Sequence, residues 1–355
     1  MPRDVAHPPE RLEFGLIYVN ACDPGLARKA GPDGFRYVDA QGAPVTDKTT
    51  LARIEALVIP PAWTEVWICA SPRGHIQAVG RDQRGRRQYR YHDRWRIARD
   101  LAKFERLTAF GRALPRLRRR VEADLGRRGL PREKVLAAVV RLLETTLIRV
   151  GNDEYARTNR SYGLTTLRDR HASITSRGAV FSFRGKSGKE HETGFQDRRL
   201  ARVVKSCQDL PGQRLFQYVD GDGVRHAVES ADVNAYLREA TGLDISAKDF
   251  RTWAATVSAA RALAGDASGS ATAARRTVTV CVKAVAQLLG NTPAVCRKAY
   301  IHPLVLAAYE GGDLPLKPAA TSRAFELSVI RFLERAAQKE PEDDAPKGRG
   351  GGENP

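Results

Sequence analysis

The stretch PREKVLAAVVRLLETTLIRVGN, residues 131–152, carries a run of apolar side chains at the spacing of an α-helix. Val135, Val139 and Leu142 recur every three or four positions, which places them on one helical face. Pro131 suits the first turn of such a helix, because the N–H that it lacks would have no intrahelical partner there. The segment therefore predicts a long amphipathic helix packed against a core.

Further helical segments lie on both sides of this stretch. Upstream, IARDLAKFERLTAFGRAL (97–114) and LRRRVEADLG (117–126) predict two helices, and downstream the pattern predicts helices at 230–241 and 246–264. The run TVTVCVKAVAQLLG (277–290) is rich in β-branched residues, but its apolar positions keep the helical period. We interpret it as a helix as well, so the larger part of the chain is predicted to be mainly helical.

Residues 14–92 have a different pattern, built from short apolar or alternating runs. The runs LIYVNA, FRYVDA, VWICAS and HIQAVGRD are separated by turn signals such as DPG, GPDG and SPRG, which is typical of antiparallel strands. One helix is predicted at TTLARIEALV (49–58), and Pro60 and Pro61 cannot continue it. We therefore expect a small antiparallel sheet with one or two helices.

These patterns predict an α+β protein with two domains and a tail, for which 355 residues are long enough. The predicted N-terminal domain, residues 1–93, is rich in β-strands. The larger domain, residues 94–336, is mainly helical and contains a β-hairpin, AVFSFRGKSGKEHETGF (179–195), that turns at Lys186. Residues 337–355 are polar and rich in Pro and Gly, which predicts a disordered tail.

The net charge of +18 and the isoelectric point near 10 favour a polyanionic partner, most often nucleic acid. The positive charge is concentrated between Arg81 and Arg120, where 15 Lys or Arg stand against 4 Asp or Glu. A segment of this kind can neutralise several phosphates and release their counterions, although an ordinary solvated helix surface would have a similar composition.

The cysteines are dispersed and form no CxxC pair, which argues against a disulfide framework and against a structural zinc site. The sequence has no run of 18 or more apolar residues, and its first residues lack the apolar stretch of a secretory signal. We therefore expect a cytoplasmic protein with no membrane partner.

Several phosphate- and metal-binding motifs are missing from the sequence. It has no GxxxxGK[ST] loop, no HExxH motif and no pair of carboxylates spaced to hold Mg²⁺. Any phosphoryl chemistry is therefore expected to use neither a metal nor a nucleotide cofactor. Such a design needs several Arg or Lys side chains around one phosphate, and Tyr can be its nucleophile.

Four residues could supply these groups. Arg149 is at the end of the predicted helix, Lys186 is at the hairpin tip, Arg251 is early in a helix, and Tyr300 is about two turns into another. Each alone is more often structural or solvated: an Arg at a helix end usually satisfies carbonyls, and a Tyr among basic residues is usually surface. Composition and spacing do not by themselves bring the four together.

Read together, these segments resemble the type IB DNA topoisomerases, in the compact form shared by poxviruses and many bacteria. The likeness covers the chain from about Leu16 to Gly311. It is carried by five motifs in the family's order: IPPAWTEVWICASPRGHIQAVGRDQRGRRQYRYH (59–92), LIRVGNDEYARTNRSYGLTTL (147–167), FRGKSGKEH (183–191), KDFRTWAA (248–255) and LLGNTPAVCRKAYIHP (288–303).

The resemblance implies that Tyr300 attacks the scissile phosphate of duplex DNA and forms a 3′-phosphotyrosyl link. Arg149 and Arg251 would hold the non-bridging oxygens, and Lys186 would protonate the departing 5′ oxygen as general acid. The family's two domains form a clamp around DNA, and its members relax supercoils without ATP or metal. The resemblance also implies a monomer, associated with the nucleoid in a bacterial cytoplasm.

The chain departs from the poxvirus pattern at Asn291, where poxvirus and eukaryotic members have His. An Asn amide can donate one hydrogen bond to a phosphate oxygen but carries no charge. The resemblance therefore implies an active variant of the site in which this position gives less electrostatic help and less pH dependence.

Gln88, Tyr89 and Tyr91 resemble the family residues that enter the major groove from the small domain, and Tyr155 matches another DNA-contacting position. Gln can bond adenine bidentately, and Tyr can pack on a base or a sugar. The alternative for Tyr89 and Tyr91 is packing toward the interior of a sheet.

Two other functions remain open at this point. A tyrosine recombinase uses a similar Arg-Lys-Arg-Tyr set, but usually has HxxR before its second Arg, where this chain has Lys248, and its N-terminal domain is helical. A non-catalytic DNA-binding clamp could also retain the fold. The strand-rich residues 14–92 favour the topoisomerase over the recombinase.

Overall fold

A computed structural model of the protein describes residues 15–31, 34–265 and 270–339. The chain divides into two compact units, Met1–Phe104 and Glu105–Pro355. The division falls inside a long helix whose first residue, Asp93, is the last residue of the predicted N-terminal domain. Each unit is described by itself below.

The first unit contains a five-stranded antiparallel sheet in the order β2-β1-β3-β4-β5, which confirms the predicted small sheet. Leu26, Ile54, Val66, Ile68 and Ala78 form its core, with one helix packed on the sheet. The elements are β1 (Gly25–Gly31), β2 (Gly34–Val38), α1 (Lys48–Ala56), β3 (Thr64–Cys69), β4 (Ile76–Arg81) and β5 (Arg87–Tyr91).

One predicted strand, LIYVNA (16–21), is not a strand in the structure. Only Ile17 forms a β-bridge, to Gly74. Backbone pairing does not continue beyond this bridge, because the N–H of Val19 donates to the side-chain Nδ1 of His75 at 3.1 Å and not to a backbone carbonyl.

The two helices predicted at 97–114 and 117–126 are one helix, α2 (Asp93–Leu125), with Pro115 inside it. Proline removes one backbone hydrogen bond and usually ends or kinks a helix. Here a continuous buried stripe, which includes Phe110, Leu114 and Leu117, runs past the proline. The burial of this stripe offsets the lost bond, so the prediction of two separate helices was wrong.

The helix predicted over 131–152 is shorter than expected, because α3 (Arg132–Thr146) ends where Leu147 adopts a left-handed conformation with φ 55°. The carbonyls of Arg149 and Val150 then accept from the backbone N–H groups of Leu164 and Thr165, at 2.9 and 2.7 Å. Arg149 therefore lies in an extended segment beyond the helix, anchored to a neighbouring loop.

The second unit is mainly helical and contains two small antiparallel sheets, in orders β6-β7-β8 and β10-β9, which confirms the predicted α+β class. The predicted hairpin is β7–β8, joined by a short 3₁₀ turn at Lys186–Gly188. The helices and strands of the second unit that follow α3 are α4 (Asp153–Asn159), β6 (Ala172–Ile174), β7 (Gly178–Arg184), β8 (Glu190–Gln196), α5 (Arg198–Gln208), β9 (Gln217–Val219), β10 (Arg225–Ala227), α6 (Ser230–Thr241), α7 (Ala247–Leu263), α8 (Ala271–Leu289), α9 (Pro293–Ala299), α10 (Pro303–Glu310) and α11 (Ser322–Lys339).

Two local signals explain the C-terminal helices. The β-branched run TVTVCVKAVAQLL forms the C-terminal part of helix α8. The helix stops after Leu289 because Gly290 adopts the left-handed conformation, with φ 61°, and caps it. The last helix, α11, continues to Lys339, three residues into the predicted tail 337–355. The remainder of that tail lies outside the described residues.

Across the described residues, no single helix has the length and apolarity needed to cross a membrane. Helices α8 and α9 meet the length and composition criteria only as a pair, and that pair is bent by 94°.

Candidate active site

Four of the five predicted site residues lie in direct contact or next to one another in the second unit. The first contact joins the loop after α3 to the loop after α8: Arg149 Nη2 donates to Asn291 Oδ1 at 2.6 Å. Asn291 is held at this place because its own N–H donates to the carbonyl of Ala286, at 2.9 Å, within the Gly290 cap of α8. The asparagine thereby fixes one arm of the Arg149 guanidinium.

Arg251, on α7, is buried with only 5% of its surface exposed. Its Nη1 donates to the carbonyl of Leu147, and its Nη2 donates to the carbonyl of Leu289 at 2.7 Å. The guanidinium thus satisfies the end of α3 and the end of α8 at once. Its Nε is buried and has no acceptor among the described residues.

Burial is also the main electrostatic influence on Arg251. Desolvation, with a smaller contribution from the nearby charge of Arg149, lowers the pKa of Arg251 to about 10. The group is still a cation at neutral pH. A buried cation beside a second cation is costly unless an anion joins them, so this pair favours binding of a phosphate.

Tyr300 lies where α9 ends, as the spacing predicts. Thr292 caps the helix by accepting from the N–H of Val295, and Pro293 occupies the first turn. The Tyr300 ring lies beside Arg251, whose Cζ is 5.4 Å from the ring centroid. Helix α9 therefore places the side chain of Tyr300 beside Arg251 and Arg149.

The surroundings of Tyr300 favour its phenolate form. Burial alone raises the pKa of the hydroxyl, but the charges of Arg251 and Arg149, together with smaller contributions from the nearby polar groups of Arg251 and Asn291, outweigh it. The net result is a pKa below the ordinary tyrosine value. A hydroxyl that ionises more easily is a better nucleophile at neutral pH.

Lys186 reaches the same place from the β7–β8 hairpin. It lines a cavity of about 140 Å³ together with Arg149 and Arg251, and its own side chain is exposed. Three cations therefore line one small space, and the lysine is the exposed one of the three. A larger, open depression of about 600 Å³ lies at the β9–β10 hairpin, but it contains none of the predicted residues.

Two further residues at this site were not predicted. Thr256 Oγ1, on α7, accepts from the N–H of His302 at 3.1 Å and donates to the carbonyl of Tyr300 at 3.3 Å, so it fixes the backbone that follows the tyrosine. His191, on β8, lines the cavity. His191 stood inside the motif FRGKSGKEH (183–191), but a histidine on a strand gives no sign of what it faces. Thr256 gave no sequence signal.

The predicted DNA-contacting residues are divided between the units. On β5, Tyr89 and Tyr91 stack with ring centroids 5.9 Å apart, and Tyr89 is 41% exposed, so Tyr89 does not face the sheet interior. Gln88 Nε2 donates to Asp82 Oδ2 at 3.0 Å. Tyr155, in the second unit, is 50% exposed on α4.

Within the described part of the chain, no group of three or more His, Cys, Asp or Glu side chains is placed to hold a metal ion.

Comparison with known proteins gives two family matches. The model of the eukaryotic DNA topoisomerase I catalytic core matches residues 92–311, and the model of the bacterial DNA topoisomerase IB N-terminal domain matches residues 34–82. The core match contains all five predicted catalytic residues.

Viral relatives match as well. The chain is 31% identical over 294 residues to DNA topoisomerase 1B of Acanthamoeba polyphaga mimivirus, which covers 81% of this chain and 88% of the relative. DNA topoisomerase I of Monkeypox virus is 24% identical and DNA topoisomerase 1B of Vaccinia virus (strain Copenhagen) is 23% identical, each covering 64% of this chain and 70% of the relative.

Proposed function

The chain belongs to the type IB DNA topoisomerases, and from that premise we propose that it relaxes supercoiled DNA through a covalent bond to Tyr300. DNA is its partner as a member of this family. The contact of Tyr300 with Arg251, beside the Arg149–Asn291 pair, is the observation that carries the proposal.

In the proposed reaction the phenolic oxygen of Tyr300 attacks the scissile phosphorus and loses its proton to solvent. The bond between phosphorus and the 5′ oxygen breaks, and Lys186 gives that oxygen a proton. The products are a 3′-phosphotyrosyl link and a free 5′-hydroxyl. The free strand rotates about the intact one, and the reverse attack reseals the nick.

The positive groups have separate tasks in this scheme. Arg149 and Arg251 neutralise the non-bridging oxygens as charge develops on them, which is the main source of rate in metal-free phosphoryl transfer. Arg251 can do so with its buried Nε, which has no acceptor among the described residues, while each of its terminal nitrogens donates to a carbonyl through one N–H. Arg149 has one nitrogen fixed by Asn291 and the others available.

The reaction needs no ATP, because the energy of the broken phosphodiester is kept in the phosphotyrosine. We propose that it needs no metal either, because the three side-chain cations around the cavity supply the charge that a metal would supply. Gln88, Tyr89, Tyr91 and Tyr155 are proposed to contact the duplex. We also propose a monomer in a reducing bacterial cytoplasm, which the free cysteines suit.

Relaxation of a negatively supercoiled plasmid in EDTA, without ATP, tests this function. Wild type should relax the plasmid and leave a 3′-linked adduct when denatured in mid-reaction. Tyr300→Phe should do neither, whereas Tyr218→Phe, a control on β9, should behave as wild type. Relaxation that required Mg²⁺, or that survived in Tyr300→Phe, would contradict the mechanism. Strict dependence on paired DNA sites would indicate a recombinase instead.

A further inference from the structure

His191 occupies the cavity between the hairpin that carries Lys186 and the loop that carries Asn291. It stands on β8 directly opposite Phe183 on β7. The two rings are stacked, with centroids 5.5 Å apart and planes inclined by 16°. Because Phe183 is buried, its stacking against His191 fixes the plane of the imidazole on the β7–β8 hairpin.

Two glycines enclose the edges of this imidazole. A Cβ placed on Gly185 would lie 2.4 Å from His191 Cδ2, and a Cβ placed on Gly290 would lie 2.8 Å from His191 Cε1. Both distances are shorter than van der Waals contact allows, so any side chain at either position would displace the ring. The imidazole therefore fills the space between two backbone segments.

Each of these glycines directly precedes a residue of the proposed active site. Gly185 precedes Lys186, and Gly290 precedes Asn291, which in turn holds Arg149. The ring thus lies between the general acid of the proposed reaction and the residues that bind the phosphate.

We infer that His191 is a positioning residue: its ring sets the distance of Lys186 from the phosphate held by Arg149 and Asn291. The inference rests on the proposed function, because it assigns His191 to the protonation step of that reaction. General acids act only from a narrow range of distances, so a hairpin that is no longer held should slow this step most.

The charges around His191 suit a neutral ring. Burial, and then the charges of Arg149, Arg251 and Lys189, lower the pKa of His191, and only Glu190 opposes them. Lys186 is a further cation on the same cavity. At neutral pH the imidazole is therefore uncharged, and it can lie between cations without repelling them.

The decisive experiment compares two substrates under single-turnover conditions. In one, the bridging 5′ oxygen at the cleavage site is replaced by sulfur, whose leaving group is stable without a proton. His191→Ala should cleave ordinary DNA about tenfold or more slowly than wild type and the sulfur substrate within about threefold of it. Lys186→Ala should show the same recovery. His226→Ala, on the distant β10, should match wild type on both substrates.

The inference is overturned if His191→Ala cleaves the sulfur substrate as slowly, relative to wild type, as it cleaves ordinary DNA. It is also overturned if His191→Ala cleaves ordinary DNA as fast as wild type. Should His191→Ala lose its thermal unfolding transition, His191→Asn replaces it in the same comparison. If Lys186→Ala itself is not rescued, or Tyr300→Phe still cleaves, then the proposed function has failed and not merely this inference.

Substitutions at Gly185 and His191, made singly and together, give a second and independent test of the inference. Gly185→Ala has no backbone penalty, since its φ is −100°, but its methyl group must displace the His191 ring. It should slow cleavage of ordinary DNA about tenfold, and adding it to His191→Ala should cost little more. Additive losses from the two changes would show that Gly185 and His191 do not act through one contact, and would overturn the inference.

Discussion

Arg149 and Asn291, 142 residues apart in the sequence, are joined by a hydrogen bond of 2.6 Å from Nη2 to Oδ1. This bond gives the uncharged amide at position 291 a defined structural partner. Asparagine offers a carbonyl oxygen that can accept from an arginine, so it orients Arg149 while its amide group faces Tyr300. At this position the residue contributes orientation more than charge.

Asn291→Ala should therefore impair catalysis through Arg149. A hydrogen bond to a charged group contributes about 1.5–3 kcal/mol, so we expect single-turnover cleavage to fall by about tenfold to 100-fold. Asn159→Ala, which removes an amide on α4, is the matched control and should have no such effect. If cleavage by Asn291→Ala stayed within twofold of wild type, Arg149 would not depend on this bond.

The pH dependence of Tyr300 offers a second prediction. Because Arg251 and Arg149 hold the pKa of Tyr300 below its ordinary value against the opposing effect of burial, Arg149→Gln should raise that pKa. The phenolate is the reactive form, so the rising alkaline limb of the cleavage rate should move to higher pH in this variant. The tyrosinate absorbance, with the Tyr300→Phe signal subtracted, should move in the same direction. An unchanged limb would mean that Arg149 does not act on the tyrosine.

The stability of the second unit should depend on Arg118. Arg118, on α2, donates to Glu144 of α3 at 2.7 Å and to Glu326 of α11 at 2.8 Å. These interactions raise the pKa of Arg118, and the hydrogen bond to Glu326 has the largest effect. Arg118→Ala should lower the free energy of unfolding by about 2 kcal/mol or more, because it removes the arginine that pairs with the partly buried Glu326 and leaves Glu144 with only the 3.9 Å contact to Arg141. Urea unfolding would measure this.

The control for that experiment is Arg112, which pairs with Glu334 in a more exposed setting between the same two helices, α2 and α11. Exposed pairs contribute little, so Arg112→Ala should lower the free energy of unfolding clearly less than Arg118→Ala does. Equal losses from the two variants would show that burial does not distinguish them.

Tyr89 is predicted to contribute to DNA affinity and not to folding. Its ring is 41% exposed beside Tyr91 on the edge strand β5. Tyr89→Ala should weaken duplex binding by about 1 kcal/mol, roughly fivefold, with the unfolding transition unchanged. Phe35→Ala, which removes an exposed aromatic ring from β2 at the opposite edge of the sheet, is the control. A loss of affinity in both variants alike would argue against a specific role for Tyr89.

Local patterns predicted most of the secondary structure. The helices predicted at 230–241 and 246–264 and the β7–β8 hairpin follow from residue types at fixed spacing. The misses have a common cause. The separate helices 97–114 and 117–126 and the strand LIYVNA (16–21) were predicted from local patterns, whereas the buried stripe of α2 and the side chain of His75 decided the outcome.

For the site, the sequence identified the residues and the structure supplied their relations. Arg149, Lys186, Arg251, Asn291 and Tyr300 could be named because five motifs occur in one order along the chain. No motif indicated that Arg251 would hold the carbonyls of two helix ends, or that His191 would fill the space between Gly185 and Gly290.

The sequence by itself thus predicted two parts of different character, the position of several helices and, through the resemblance to the family, the candidate reacting groups. These depend on interactions within a few residues, such as helical period, capping and turn chemistry. The tertiary structure alone decided that Asn291 orients Arg149, that Arg251 is buried beside Tyr300, and that His191 lies beside the hairpin of Lys186. Those contacts join segments far apart in the chain, and only the packing of α3, α7 and α8 with the β7–β8 hairpin brings them within bonding distance.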